Sequence, residues 1–248
     1  MQGILKTVSR QPRPLPRNRG ALARARQHIL TKIGNGAFPA GASLSEIALA
    51  TELGISRTPV REALSQLVAE GMLQKTSRGA IVTEPTRQDI IDLYELREAL
   101  EVYAIGKVAG QRLSAHMLEP LNGLVEELRT IVSDLKKSGT PALEGDDLKR
   151  FVTADLHFHT LLLQAAGNQR MLKILDSTSL LLRVFALPRE HHTLALVSEV
   201  YHFHRRILDA LAKGQRGEAM QLLGEHIRLS LEERLADFDS AERSRHGW

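Results

Sequence analysis

The sequence predicts a mainly α-helical protein, in which an N-terminal winged helix-turn-helix is followed by an antiparallel bundle of about six helices. Hydrophobic residues make up 43% of the 248 residues but aromatic residues only 4%, which favours Leu- and Ala-rich helices over a β-sandwich or barrel. Apolar residues recur at helical spacing in most of the chain. The stretch at 72–83 instead contains two short apolar or β-branched runs typical of a hairpin.

Composition excludes several classes of protein and site. The chain contains no Cys, which rules out disulfide scaffolds, thiolate metal sites and cysteine nucleophiles. No apolar run approaches the roughly 18 residues that a membrane span requires, so no membrane partner is expected. Residues 1–19 lack the apolar core of a signal peptide, and we therefore expect a cytoplasmic protein.

Charge is distributed unevenly along the chain. Residues 1–86 contain 12 Lys and Arg against 5 Asp and Glu, a balance of +7, whereas the remaining 162 residues contain 21 against 24, or −3. No acidic residue precedes Glu46. A basic front on a mildly acidic body indicates a polyanionic partner, and a solvated basic tail is the alternative explanation.

The first elements follow from local patterns. Residues 1–18 are basic, contain three prolines and lack apolar periodicity, which predicts a flexible arm. Helical spacing from Leu22 to Ile33 predicts a first helix that ends at Gly34. Residues 35–44 contain Gly and Pro and are predicted to form a loop.

Two short helices come next, at the spacing of a helix-turn-helix. Ser45 is suited to cap the first of them, which ends at Gly54. Ser56 is suited to cap the second, which ends at Gly71. The two apolar runs that follow flank a basic, Gly-containing tip, so a small hairpin, or wing, is expected behind the second helix.

Beyond a linker at residues 84–86 we find only helical periodicity. Short connections between the helical stretches predict an antiparallel bundle. The predicted helices are at about 87–111, 114–137, 146–166, 169–184, 192–213 and 217–239. The polar tail after about residue 240 is expected to fray. The predicted domains are therefore the arm at 1–18, a winged helix-turn-helix domain at 19–84 and a helical domain at 85–240.

The second short helix carries side chains suited to nucleic acid. A recognition helix enters the major groove through its first residues. Here those residues are Ser56, Arg57, Thr58 and Arg61. Arg57 and Arg61 are four residues apart and share a helix face, and an Arg can bind guanine or phosphate through two nitrogens. The alternative is that both arginines only solvate this face.

Other polar residues near these elements are suited to the DNA backbone. The hydroxyls of Ser45, Ser56 and Thr58 lie near helix N-termini and are predicted to contact phosphates. Arg78, at the hairpin tip, is expected to reach a minor groove or the backbone.

These segments resemble the winged-helix domain of GntR-family transcription regulators over roughly residues 22–84. The matching residues are Leu44-Ser45-Glu46, the run from Leu53 to Leu64 that contains Ser-Arg-Thr-Pro-Val-Arg-Glu-Ala-Leu, Glu70-Gly71-Met72-Leu73, and Arg78-Gly79-Ala80-Ile81-Val82. The resemblance implies a homodimeric bacterial repressor or activator that binds a pseudo-palindromic operator in double-stranded DNA. It places Arg57, Thr58 and Arg61 at DNA-contact positions and Gly79 at the wing tip. In some family members the first of the two short helices contributes a basic DNA contact, but residues 47–50, which begin with Ile47, contain no basic residue here.

Four ligand-type side chains lie on apolar helix faces in the second half of the chain. Asp155 and His159 are four residues apart on one face, and His204 and His226 lie on the apolar faces of two later helices. Asp with three His could form the first coordination shell of a divalent ion such as Zn²⁺, Ni²⁺ or Mn²⁺. The alternative is a set of unrelated core or surface residues.

Further polar residues on these helices are less specific. Arg97 shares a helix face with apolar residues, so its guanidinium is expected to point into the bundle and bind a carboxylate ligand there. Alternatively, it pairs with Glu98 or Glu101. His157 and His202, each two residues from a candidate ligand, must face elsewhere.

This half resembles the FCD ligand-binding domain of the FadR-type branch of the GntR family, over roughly residues 88–235. The resemblance rests on residues 93–101, on 155–159 followed by Ala166-Gly167-Asn168, and on His204 and His226. It implies that Asp155, His159, His204 and His226 bind a metal ion whose coordination a small organic acid completes. Arg97 is the corresponding candidate for effector binding.

The predicted function is that of a cytoplasmic, homodimeric transcription regulator whose operator affinity depends on a small carboxylate metabolite bound at the metal site. Two alternatives remain open at this point. The same Asp and His residues could serve a metal-dependent enzyme acting on small organic acids. The bundle could also be a metal-free structural domain attached to a DNA-binding domain.

Deletion of the basic arm, residues 2–18, is expected to weaken operator binding and to flatten its salt dependence. Each lost phosphate contact removes about 0.9 from the slope of log affinity against log salt. The measurement is operator binding at several salt concentrations. Replacing Lys6, Arg10 and Arg13 with Gln keeps the chain length and separates charge from length. An unchanged slope in both variants would show that the arm does not touch DNA.

Overall fold

The computed structural model describes residues 17–111, 115–174 and 192–246, which divide into two compact units after Thr83. Most of the predicted arm and most of the helix predicted at 169–184 lie outside the described residues, although 169–174 are helical. The first unit contains α1 (Arg17–Gly34), β1 (Ser43–Ser45), α2 (Glu46–Leu53), α3 (Arg57–Ala69), β2 (Leu73–Thr76) and β3 (Gly79–Val82). The second contains α4 (Arg87–Ala109), α5 (Ala115–Ser138), α6 (Gly145–Ala165), α7 (Leu194–Ala212) and α8 (Arg216–His246).

The first unit is a helix-turn-helix with a wing, as predicted. Helix α1 packs against α3, and Ile29, Val60 and Leu67 are fully buried in the core of this unit. Ser45 caps α2 by accepting a hydrogen bond from the Ala48 amide at 3.4 Å. Gly54 ends α2 in the left-handed conformation, with φ of 63°, which a residue with a side chain rarely adopts.

Strand β1 was not expected, because residues 35–44 were predicted to be a loop. The three strands form an antiparallel sheet in the order β1-β3-β2, with Leu44 opposite Ala80. Leu44 is buried while Ser43 and Ser45 on either side are exposed, which is the alternation of a half-buried strand. With a single apolar residue, this strand is too short to be recognised by its periodicity.

The second unit is a helical bundle, which confirms the predicted fold class. Helix α4 begins at a capping box, in which the Thr86 hydroxyl accepts from the Asp89 amide and the Asp89 carboxylate accepts from the Thr86 amide. Helix α4 packs on α8 and α6, and α5 packs on α6 and α7. The main core surrounds Phe158 and Leu162 of α6. Among the described residues of this unit, strand-type pairing is limited to a bridge between Ala142 and Thr193.

The C-terminal helix is longer than predicted. Helix α8 continues to His246, whereas the sequence was expected to fray after about residue 240. Residues 240–246 contain no Gly or Pro and include Ala, Glu and Arg, which favour helix, so no residue stops it. In the part of the chain that the structure describes, no helix is both long and apolar enough to cross a membrane.

The wing depends on a close backbone contact at Gly79. A Cβ atom at this position would lie 2.0 Å from the carbonyl oxygen of Leu44, so β1 and β3 can approach each other only if residue 79 is Gly. Gly79, predicted as a DNA-contact residue from its place at the wing tip, therefore also has a structural role in the sheet.

Gly79→Ala is expected to destabilise the first unit by about 1–3 kcal/mol, because the added methyl group forces two strands apart. Chemical denaturation of the full chain measures this change. Gly20→Ala is the matched control, since a Cβ at this exposed position in α1 meets no atom within 4 Å. Equal stability of Gly79→Ala and the unmodified protein would contradict the proposed strand contact.

Candidate nucleic-acid interface and metal centre

A groove of about 550 Å³ in the first unit lies between α3 and the wing. Its polar lining consists of Glu46, Arg57, Arg61, Ser65, Lys75, Thr76, Ser77 and Arg78, with Gly79 at the wing tip. Four cationic side chains thus line this groove against a single carboxylate. The structure therefore brings the predicted arginines of α3 and the wing to one basic concave surface.

Both arginines of α3 lie on the exposed face predicted for them, and both contact Glu46. Their side chains are 56% and 62% exposed for Arg57 and Arg61, respectively. Arg61 donates through Nε and Nη2 to the Glu46 carboxylate at 3.0–3.2 Å, and Arg57 Nη2 donates to it at 3.2 Å. The hydrogen bond from Arg61 is the main cause that lowers the pKa of Glu46, and Arg57 contributes.

Glu46 belongs to the Leu44-Ser45-Glu46 motif, but the sequence alone predicts no role for it. Its position at the start of α2, directly after the cap residue, was the available signal that it faces the start of α3. Because both arginines share its carboxylate, their guanidinium groups are held side by side before any ligand binds.

The smaller predicted DNA-contact residues are exposed but differ in their bonding. The Ser45 hydroxyl is occupied by its capping bond, whereas the Ser56 hydroxyl caps nothing although Ser56 is the N-cap residue of α3. Thr58 and Arg78 are exposed.

Ile47, in the first turn of α2, is 61% exposed, which is high for a large apolar side chain.

In the second unit, three helices bring the four candidate metal ligands together. Helix α6 supplies Asp155 and His159 from successive turns, α7 supplies His204 and α8 supplies His226. One ligand atom from each residue lies within 4.8 Å of all the others. The single Asp and three His that were named from apolar periodicity therefore form one cluster.

The spacing of the cluster suits a metal ion. His204 Nε2 lies 3.3 Å from His226 Nε2 and 3.4 Å from Asp155 Oδ1, and His159 Nε2 lies 3.7 Å from the same Asp155 oxygen. Ligand atoms about 2.1 Å from one tetrahedrally coordinated ion are about 3.4 Å apart. His159 Nε2 is buried and has no hydrogen-bond partner among the described residues, so an ion would satisfy an otherwise unpaired atom.

Electrostatics keep Asp155, His204 and His226 in the protonation states that bind metals, whereas the carboxylates of Glu101 and Asp155 outweigh burial and Arg97 and raise the pKa of His159. Burial, partly opposed by the Asp155 carboxylate, lowers the pKa of His204 to about 3. Burial and the neighbouring imidazoles lower the pKa of His226 well below its usual range. Burial raises the pKa of Asp155, but the nearby His159, His204 and Arg97 outweigh this, and the net pKa is well below the usual value. Two imidazole lone pairs and a carboxylate are thus available to a cation.

Asp155 differs from the other three residues in exposure. Its side chain is 30% exposed, whereas those of His159 and His204 are at most 1% exposed. Asp155 therefore lies on the side of the cluster that solvent reaches. His157 and His202, the neighbours expected to face elsewhere, are indeed exposed.

Arg97 points into the bundle, as expected, and its partner there is Glu101, one of the two acids considered as alternatives. This residue is buried, at 9% exposure, and its Nε donates to Glu101 Oε1 at 2.8 Å. Glu98 instead pairs with Arg228. Burial opposes the charge on Glu101, but Arg97 and His159 outweigh it and lower the pKa of Glu101 to about 2. Burial opposes the positive charge of Arg97, but the negative charges of Glu101 and Asp155 outweigh it and raise the pKa of Arg97. Asp155 acts without a hydrogen bond between the two side chains.

Glu101 received no site role from the sequence, although its Oε2 lies 2.6 Å from His159 Nδ1. Its spacing of four residues from Arg97, on a face that also holds the buried Ala104 and Ile105, was the signal that could have identified it.

Comparisons with known proteins agree with this architecture. A model of bacterial regulatory proteins of the gntR family matches residues 22–82, and a model of the FCD domain matches residues 92–229, which is more than half of the chain. These families and the relatives found are transcriptional regulators, so the alternative of an enzyme is wrong.

Individual relatives are similar over most of their length. The probable D-xylose utilization operon transcriptional repressor of Paenarthrobacter nicotinovorans is 29% identical over 83% of this chain and 84% of its own. The gluconate operon transcriptional repressor of Bacillus subtilis is 29% identical over 75% of this chain and 70% of its own. A solved structure described as a GntR regulator from Rhodococcus sp. RHA1 superposes with a TM-score of 0.70 at 26% identity, over 88% of this chain and 98% of that one. The chain therefore belongs to the GntR family of DNA-binding transcriptional regulators and carries an FCD domain.

Proposed function

We propose that this regulator binds operator DNA as a cytoplasmic homodimer and that a small carboxylate metabolite, bound beside a divalent metal ion in the FCD domain, changes its affinity for the operator. The buried cluster of one Asp and three His with an unpaired Nε2 is the observation that carries the proposal. An effector regulates only if its affinity differs between two arrangements of the protein.

The basic groove supports the proposed mode of DNA binding. Arg57 and Arg61 extend from the first two turns of α3, where a recognition helix meets base edges. Thr58 and Ser56, whose hydroxyl makes no capping bond, lie at the same helix end and are positioned to contact phosphates. Arg78 lies across the groove at the wing. The Ser45 hydroxyl accepts the capping bond from the Ala48 amide, and its own proton is left to donate to a phosphate.

Arg57→Ala or Arg61→Ala is expected to weaken binding to the operator by about 1–3 kcal/mol if the side chain contacts a base. Both residues are exposed and face away from the core, so the fold should be unaffected. Binding to the operator and to unrelated DNA is measured for each variant. Arg24→Ala removes the same charge from α1, outside the groove, and is the control. Operator binding of both variants equal to that of the control would contradict the assignment.

Asp155, His159, His204 and His226 would hold the divalent ion, for which Zn²⁺, Ni²⁺ and Mn²⁺ are candidates. A bound ion supplies a positive centre to which a carboxylate oxygen can coordinate. The exposed side of the cluster, at Asp155, leaves an approach for such a ligand.

The charges of the site favour an anionic effector. Arg97, Glu101 and Asp155 together carry one net negative charge, and a divalent ion changes this to one net positive charge. One relative is named for an operon of gluconate, a carboxylate, and another for an operon of D-xylose, a neutral sugar. The site charge, rather than these names, is our reason for proposing a carboxylate. Arg97 contributes to effector binding in this proposal through its positive charge.

Replacement of His204 tests the metal site against a metal-free bundle. We expect His204→Ala to lose the ion, to become less thermally stable and to lose its response to organic acids, because the remaining ligands then include a partly buried carboxylate without its cation. Operator binding without effector should persist, because the basic groove belongs to the other unit.

Metal content by elemental analysis, thermal unfolding and operator binding with and without organic acids measure these effects separately. His202→Ala, at an exposed position of the same helix, is the control and should behave like the unmodified protein. Full metal occupancy and a normal effector response in His204→Ala would refute both the ligand assignment and the sensing mechanism.

A further inference from the structure

Glu101 bridges two functional candidates that are otherwise separate. Its Oε1 accepts a hydrogen bond from Arg97 Nε at 2.8 Å, and its Oε2 lies 2.6 Å from His159 Nδ1. The side chains of Glu101 and His159 are each 1% exposed, so water cannot replace either contact. This carboxylate belongs to α4, whereas the four candidate ligands belong to α6, α7 and α8.

The position of one proton on His159 follows from this contact. An ionised carboxylate can only accept hydrogen bonds, so Nδ1 must carry the proton that is shared with Oε2. The imidazole that binds a metal is neutral and has one N–H, so in that form the lone pair of His159 is on Nε2. Nε2 is the atom that points into the cluster and lacks a hydrogen-bond partner among the described residues. The Nδ1 atom of His204 has no comparable acceptor in the described chain, so His159 differs from it in this support.

We propose that Glu101 is the positioning residue of the metal centre: it fixes His159 in the tautomer whose Nε2 binds the ion, and through its second oxygen it holds Arg97 beside the same site. This inference rests on the proposed metal-binding function. Carboxylates in such outer positions orient the ring and increase the basicity of the ligand nitrogen.

A purely structural role for Glu101, as the counterion of Arg97, makes a different prediction. In Glu101→Gln the side-chain shape is kept, but one acceptor oxygen is replaced by an NH₂ group. The Arg97 N–H requires an acceptor, so the remaining oxygen faces Arg97 and the NH₂ group faces His159 Nδ1. His159 must then accept through Nδ1 and carry its proton on Nε2, which blocks metal binding at that atom. A counterion role alone would leave the tautomer of His159 unchanged.

The experiment compares the Zn²⁺ affinity of the unmodified full chain, Glu101→Gln and Glu98→Gln by competition with a chelator. Glu98 lies on the same helix and pairs with Arg228, so Glu98→Gln makes the same chemical change away from the cluster. We expect Glu101→Gln to bind Zn²⁺ about 10–100-fold more weakly and Glu98→Gln to bind it unchanged. Equal Zn²⁺ affinity of Glu101→Gln and the unmodified protein would overturn the inference.

Nuclear magnetic resonance of ¹⁵N-labelled histidines provides a second measurement, which does not depend on how the variant folds. In the Zn²⁺-loaded unmodified protein, we expect His159 to bind through Nε2 and to keep a slowly exchanging proton on Nδ1. A His159 bound through Nδ1, or one without that proton, would overturn the inference. If the unmodified protein binds no Zn²⁺, Ni²⁺ or Mn²⁺, both the proposed metal site and this inference are wrong. If the unmodified protein binds the metal and Glu101→Gln binds it equally well, only this inference is wrong.

Discussion

Burial of charge at the centre of the helical unit is the constraint on which its structure depends. Arg97, Glu101 and three imidazoles are almost completely enclosed, next to the apolar core around Phe158. An unpaired ion in such surroundings costs several kcal/mol, so the charged groups Arg97 and Glu101 each require a partner at a defined distance. The partners come from α4, α6, α7 and α8, so the relative positions of these helices must satisfy both apolar packing and charge pairing. A cation at the cluster would engage the unpaired Nε2 of His159.

Periodicity was sufficient to predict most of the fold and the candidate metal ligands. Helix boundaries followed from Gly and Pro positions, and the spacing of Asp155, His159, His204 and His226 on apolar faces placed them inside the bundle before their distances were known. This succeeds because an inward-facing polar residue on a helix is recognisable from its neighbours in sequence. It required no knowledge of how the helices pack.

The residues that sequence reasoning missed depend on contacts between elements. The spacing of Glu101 from Arg97 indicates an inward-facing acid, but its contact with His159, 58 positions away, is visible only in the structure. Glu46 acquires its role from two arginines in the next helix, and β1 exists because Leu44 pairs with a strand near residue 80. Arg97 pairs with Glu101 because of the way α4 is rotated against its neighbours, and Glu98 pairs instead with Arg228 of α8. No local pattern contains this information.

In the proposed mode of DNA binding, the carboxylate of Glu46 has a consequence for discrimination between DNA sequences. An arginine that leaves Glu46 for a phosphate exchanges one anionic partner for another, so its net gain is smaller than that of an unpaired arginine. A phosphate close to Glu46 also experiences like-charge repulsion. Both effects lower affinity for DNA of any sequence, whereas two bidentate bonds to the correct bases still repay the exchange. If the groove binds DNA as proposed, its affinity for the many nonspecific genomic sites would therefore be lower than its four cationic side chains alone would produce.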